Sequence, residues 1–164
     1  MEIEVRRARL SDAEAIAAFV NAAQPASSSE ITREDVAGRF GQVGFMVAER
    51  DGQLRGVMGW QIENLVVRIT DFLIAAGADP LAMGRVLITK MEAEAKELQA
   101  EAVLLFMPQS PSVRLVAFWE DFGYEFRPLK KLPKAWREAV VEGDGSTQSV
   151  MVKRLRQDVV WRPV

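Results

Sequence analysis

Apolar and polar residues alternate along Ile3-Glu4-Val5-Arg6-Arg7-Ala8, the period-two pattern of a half-buried strand. The pattern then changes period. Ser11 with Glu14 three residues later reads as a capping box, and the helix behind it places Ile16, Phe19, Val20 and Ala23 on one face. Pro25 and Ser27 to Ser29 break that helix. A second, shorter helix starts at Thr32, with Asp35 closing a similar box and Val36 and Phe40 facing inward.

A meander follows. Gly44 to Arg50 reads as a strand, Asp51-Gly52 as a tight hairpin turn, and Leu54 to Glu63 as the return strand. Asn64 marks a second turn, and Leu65 to Ala75 a third strand. Asp79-Pro80 opens a helix with Met83, Val86, Leu87, Met91, Ala95 and Leu98 at helical spacing and charges opposite. Ala102 to Met107 is an uninterrupted apolar run, as in a central strand buried on both faces. Ser110-Pro111 starts a further helix with Leu115, Phe118, Trp119 and Phe122 on its apolar face, ended by Gly123. Tyr124 to Phe126 resumes as a strand. The Lys- and Trp-bearing segment Leu129 to Glu142 holds a short helix, and Gly143-Asp144-Gly145 is a turn. Ser149 to Leu155 is the last strand. A meander feeding a βαβ crossover predicts an α/β fold with a central mixed, twisted sheet of about seven strands and helices on both faces.

At 164 residues, one domain spanning the chain is the natural expectation. Apolar residues at 49% and charged residues at 27% are ordinary globular values. The formal charge of −2 argues against a nucleic-acid-binding surface as the main function. No apolar run reaches the roughly 20 residues of a membrane span, and the N-terminus lacks a signal-peptide core, so the expected location is cytoplasmic. The tail from 156 to 164 carries Val159, Val160 and Trp161, and is read as an oligomerisation arm of a homodimer.

Two absences narrow the chemistry. The chain has no Cys and no His. Thiol nucleophiles, Ser–His–acid hydrolysis, and thiolate or imidazole metal sites are therefore excluded. Proton transfer near neutral pH is left to a carboxylate, a lysine, the single tyrosine Tyr124, the backbone or water.

The stretch Asp71 to Lys90 is the best candidate for binding. It runs from an apolar strand through Ala76-Gly77-Ala78 into a helix. Strand, small loop, helix is how α/β proteins build a nest of N–H groups for phosphate. It is equally a plain connection whose Asp79 caps the helix. The candidate bases are Glu63, at a strand end, and Asp71, within the next strand, and each is also readable as a solvated carboxylate. Trp60 and Phe45 are candidates for a pocket lining or for the core. Lys130, Lys131 and Lys134 read as solvated.

The order of elements, the Asp79-Pro80 helix entry and the segment Ala117-Phe118-Trp119-Glu120-Asp121-Phe122-Gly123-Tyr124 resemble the GNAT superfamily of acetyl-coenzyme A-dependent N-acetyltransferases. The resemblance spans roughly Ile3 to Leu155. It implies an acetyl-coenzyme A site and direct attack of a small-molecule or peptide amine on the thioester. The backbone N–H near Ile74 would polarise the carbonyl. The family's phosphate motif, Arg/Gln-x-x-Gly-x-Gly/Ala, falls on Asp79 to Gly84, and the resemblance implies cofactor contacts from Ile74, Ala76, Asp79, Ala82, Met83 and Gly84; Arg85, at the start of that helix, is a candidate for the phosphates or a plain surface charge. Ser112 stands where the family often has Asn, and Trp119 where it often has the Tyr that protonates the thiolate. Arg114, at the start of the second helix, is a further candidate for the phosphates or a plain surface charge. Three departures matter: Asp79 replaces a neutral or basic residue, Ala82 replaces Gly, and an indole does not titrate. A carboxylate about 5 Å from a phosphate charge costs on the order of 3 kcal/mol before screening. The alternative is a GNAT-fold protein that binds a ligand or partner without catalysis, and a third reading is a structural dimer module.

Overall fold

The computed structural model describes residues 2–23, 29–40, 44–140 and 148–156. Its elements follow in chain order: β1 (Glu4–Arg7), a 3-10 turn (Leu10–Asp12), α1 (Ala13–Ala23), α2 (Arg33–Arg39), β2 (Gly44–Arg50), β3 (Gln53–Glu63) and β4 (Val66–Ile74). Then come α3 (Pro80–Glu97), β5 (Ala102–Phe106), α4 (Val113–Glu120), β6 (Glu125–Pro128), a second 3-10 turn (Leu129–Lys131), α5 (Lys134–Val140) and β7 (Ser149–Arg154). The strands form one seven-stranded sheet in the order β1-β2-β3-β4-β5-β7-β6. β4 and β5 are parallel, whereas β5–β7 and β6–β7 are antiparallel, so the sheet is mixed as the sequence pattern requires. The expected Gly143 turn, the serine loop up to Ser28 and the C-terminal tail from Gln157 lie outside the described residues.

The chain divides into two compact units, Met1–Gln61 with Thr70–Met91, and Ile62–Ile69 with Glu92–Val164. In the first, α1 and α2 lay Ala13, Ile16, Ala17 and Val36 against Val47 of β2 and Val57 of β3. The α2 entry is a capping box as the sequence predicts: Asp35 N–H donates to Thr32 Oγ1 at 3.1 Å, and Thr32 N–H donates to the Asp35 carboxylate at 2.9 Å. The α1 entry differs from expectation. Asp12, not Ser11, does the work, accepting from Arg9 N–H at 2.6 Å, and a 3-10 turn precedes Ala13. Asp12 wins because Arg6 grips both of its carboxylate oxygens at 2.8 and 2.9 Å.

In the second unit, the core joins Val66, Ala102, Leu104, Val150 and Val152 of the strands to Leu129, Leu132, Trp136 and Ala139. The segment 129–140 is thus anchored by a buried Trp136, whose Nε1–H donates to buried Glu101 at 3.0 Å. The Asn64 turn is a two-residue hairpin with positive φ at Asn64 (52°) and at Leu65 (67°). A left-handed leucine costs about 1–2 kcal/mol. Its carbonyl accepts Glu101 N–H at 2.7 Å, which holds the turn in place.

Candidate functional site

The β4–α3 connection of the first unit is built as the sequence predicts. β4 ends at Ile74, Gly77 supplies the turn with φ of 85°, and α3 opens at Pro80. Ala75 N–H is used on Arg55 O at 2.8 Å, and Ala78 N–H on Ala75 O at 3.1 Å. The Asp79 carboxylate caps α3, accepting from Leu81 N–H at 3.1 Å and from Ala82 N–H at 3.4 Å. Ala76, Gly77, Asp79, Leu81 and Arg85 are exposed, and Ala82 is half-buried. Met83 and Gly84 are buried, and Met83 N–H is used on Asp79 O at 3.0 Å. An anion at this helix N-terminus must displace or bypass a carboxylate already on its first N–H groups.

Three residues before the end of β4, Asp71 is held by Arg39 of α2. The guanidinium forks onto both carboxylate oxygens at 2.7 and 2.8 Å, and Thr70 Oγ1–H adds a third bond at 2.7 Å. The pair is water-facing, with side-chain exposures of 43% for Arg39 and 26% for Asp71. Gly59 makes room for it, since a Cβ there would lie 2.6 Å from Asp71 Oδ2. Three donors fill three of the roughly four acceptor positions of the carboxylate, so Asp71 anchors Arg39 and keeps one position for a further donor. Sequence reasoning missed Arg39, because nothing local in an α2 residue announces a partner 32 positions away.

The Arg39–Asp71 fork stands on the wall of a cavity of about 340 Å³ in this unit. α1 and α2 contribute Ile16, Val20 and Val36, and β4 contributes Phe72 and Leu73. Phe45 lines it too, as one of its two sequence readings had it, with the Arg39 guanidinium over its ring at 5.9 Å. Trp60 belongs to the core instead. It is 4% exposed, and its ring would lie 2.6 Å from a Cβ on Gly44.

The second unit holds the remaining candidates. Glu63 is exposed at the end of β3. Ser112 caps α4, its hydroxyl accepting from Leu115 N–H at 3.1 Å, and Arg114 is exposed. Trp119, expected beside the cofactor sulfur, is 2% exposed. Its ring meets Phe118 and Tyr124 edge-on at 5.4 and 5.2 Å. Its placement is that of a core side chain, which is the other reading that its spacing with Phe118 and Phe122 allowed. Tyr124 is buried as well, and its hydroxyl donates to Glu92 Oε2 at 2.9 Å. Lys153 Nζ donates to Glu92 Oε1 and to Phe122 O, both at 2.9 Å. Burial first, then the Glu92 charge and the hydrogen bond to it, hold the Tyr124 hydroxyl well above the ordinary phenol range. Glu92 falls on the face of α3 where the sequence shows Met91 and Ala95. Among charges read as solvated, it is the one turned inward, and Tyr124 and Lys153 are the reason.

The parallel β4–β5 ladder pairs Val66 with Ala102, Val67 with Val103 and Arg68 with Leu104; β4 itself runs on to Ile74. No protein-family model matches the chain, and no curated protein matches it in sequence. Solved structures do match. A GNAT-family acetyltransferase from Staphylococcus aureus superposes with a TM-score of 0.74 at 16% identity, over 94% of this chain and 100% of that one. The PaiA N-acetyltransferase of Thermoplasma acidophilum, solved with coenzyme A, gives 0.69 at 16% identity, over 94% and 99%. N-acetylglutamate synthase of Neisseria gonorrhoeae, solved with coenzyme A and N-acetylglutamate, gives 0.68 at 18%, over 96% of this chain and 36% of that one. The mixed seven-stranded sheet and the helices set around it have the fold of the GNAT acetyltransferases.

Proposed function

We propose that the protein is an N-acetyltransferase that moves an acetyl group from acetyl-coenzyme A to an amine. The observation that supports this most is the β4–loop–α3 unit. It combines a strand that ends at Ile74, an exposed small-residue loop with a left-handed Gly77, and the N-terminus of an 18-residue helix. All of this lies in a fold shared with proteins solved with coenzyme A. The loop residues from Ala76 to Arg85 would hold the cofactor phosphates, and Ile74 N–H would polarise the thioester carbonyl. The neutral amine nitrogen attacks the carbonyl carbon and the C–N bond forms. The C–S bond breaks, and sulfur leaves with the electron pair. The nitrogen's proton passes to water, and the thiolate takes one from water. Tyr124 is committed to Glu92 and does not serve as the acid. A thiolate is a stable leaving group, so a chain with no His or Cys can sustain this route.

One observation favours the second reading, a non-catalytic ligand-binding protein: the Asp79 carboxylate sits on the donors that a pyrophosphate would use. Calorimetric titration of acetyl-coenzyme A into the parent and into Asp79→Gln separates the two readings. Weak binding by the parent is expected, with a gain of more than about 1 kcal/mol in the variant at low salt that shrinks as salt is added. Free-thiol release with an amine present then reads turnover. Binding by neither protein would remove acetyl-coenzyme A from the account.

A further inference from the structure

We propose that the cavity between α1, α2 and β4 is the acceptor pocket, and that it selects a hydrophobic monoamine: an alkyl or arylalkyl ammonium without a carboxylate. The inference rests on the acetyltransferase reading for its chemistry but on the cavity alone for its ligand. Three features carry it.

The first is position. Phe72 and Leu73 form part of the cavity wall and directly precede Ile74, the residue assigned to the thioester carbonyl. An amine whose body lies in the cavity is therefore presented along the same strand that the proposed cofactor site uses.

The second is size and lining. A volume of about 340 Å³ lies at the small end of the ~300–1,000 Å³ typical of small-molecule sites. Apart from Asp35, Arg39 and Asp71, every lining residue is apolar. Such walls reward an apolar body and give a polyamine or a sugar few partners for its buried polar groups.

The third is charge. Arg39 and Asp71 neutralise one another in the fork, and Asp71 also receives Thr70. Asp35 is left over. Its carboxylate accepts the backbone N–H of Thr32 and lies on the exposed side of α2, and these bonds keep it ionised below the usual carboxylate range. The rim of the cavity thus carries one exposed negative charge, which salt screens. This draws an ammonium towards it and repels the carboxylate of an amino acid. Arg39 does not reverse this, because its fork is already filled by a carboxylate from its own chain.

The test uses the full chain and three probes of distinct chemistry: phenethylamine, phenylalanine and spermidine. Binding is read by ligand-observed NMR, with and without coenzyme A, and turnover by thiol release with acetyl-coenzyme A. Phenethylamine is expected to bind at least tenfold tighter than the other two, cofactor or no cofactor, and to give the highest kcat/KM. Val20→Phe, at a half-buried lining position, should cut phenethylamine binding at least tenfold and leave acetyl-coenzyme A affinity unchanged. Asp35→Asn should weaken it severalfold at low salt and much less at high salt. Should Val20→Phe not fold, the Asp35→Asn salt dependence and the parent's probe ranking stand as the test. Equal or tighter binding of phenylalanine or spermidine overturns the proposal and leaves the acetyltransferase reading intact. Failure of acetyl-coenzyme A to bind overturns the latter, while the ligand ranking still decides the pocket.

Discussion

The two units treat their carboxylates in opposite ways. In the second, Glu92 is enclosed. Its side chain is 10% exposed, with Tyr124 on one oxygen and Lys153 on the other, and Lys153 also reaches Phe122 O and lies 5.7 Å from the Tyr124 ring centre. In the first, Asp71 meets Arg39 on the wall of an open cavity, and Asp12 meets Arg6 near the surface. An enclosed carboxylate with its partners in place fixes one arrangement of the α3 end from Glu92, the α4 end and β7, because any other leaves a buried charge unpaired. A fork beside water tolerates loss of a partner, because water can take that partner's place. The enclosed cluster therefore reads as structure. The water-side fork is where the loss of a partner is tolerated.

The largest expected effect comes from breaking the enclosed cluster. Lys153→Met removes the cation that donates to Glu92, and with Lys153 itself 30% exposed it should cost about 2 kcal/mol of folding stability in chemical denaturation. Arg39→Met strips Asp71 of its fork but admits water, and should cost no more than about 1 kcal/mol. If the two variants lose stability equally, the distinction between enclosed and water-side carboxylates fails.

Tyr124 sharpens the same comparison without mutation. The chain has a single tyrosine, so tyrosinate absorbance reports that residue alone. Its hydroxyl is held well above the ordinary value of 10. A raised pKa means that the native state keeps the proton longer than the unfolded chain does. This stabilisation is complete below pH 10 and is lost as pH rises through the native value. Tyrosinate absorbance should therefore stay absent past pH 10 and appear together with alkaline loss of tertiary structure. A separate tyrosinate transition near pH 10 in the folded protein would mean that Tyr124 is open to solvent.

How much of this was legible follows from how local each signal is. Asp51-Gly52, Thr32 with Asp35, Asp79-Pro80 and Gly123 act through their own neighbours, and each appears where the sequence places it. Ser11 misled because the competing Asp12 draws its strength from Arg6, on a strand outside the helix. Trp119 carried two readings, since helical spacing assigns a face but not what covers it. The cavity was the least legible. Asp35 was visible as a cap and Val36 as an inward residue, but the fork joins positions 32 apart, and the room for it is made by Gly59 on another strand. Glu92 was hidden for the same reason, since a glutamate between Met91 and Ala95 looks solvated until Tyr124 and Lys153 are brought to it.

The smallest effect concerns the third carboxylate, Asp12. Arg6's hydrogen bonds, opposed in part by burial and aided by Arg9 N–H, hold it down to about 2 from an ordinary 3.8. A lowered pKa places the stabilisation above pH 3.8 and removes it as pH falls towards 2. Fully shielded, a lowering from 3.8 to about 2 would be worth about 2 kcal/mol. With Arg6 at 32% and Asp12 at 18% side-chain exposure, water reduces that to about 1 kcal/mol. Asp12→Asn keeps an acceptor for Arg9 N–H but loses the charge. Its denaturation midpoint should lie below the parent's at pH 6, and the two curves should converge as pH falls from 4 to 2. A gap that persists at pH 2 would trace the loss to the shape of the α1 entry and not to the ion pair. Arg6 would then belong with the surface pairs that contribute nothing measurable.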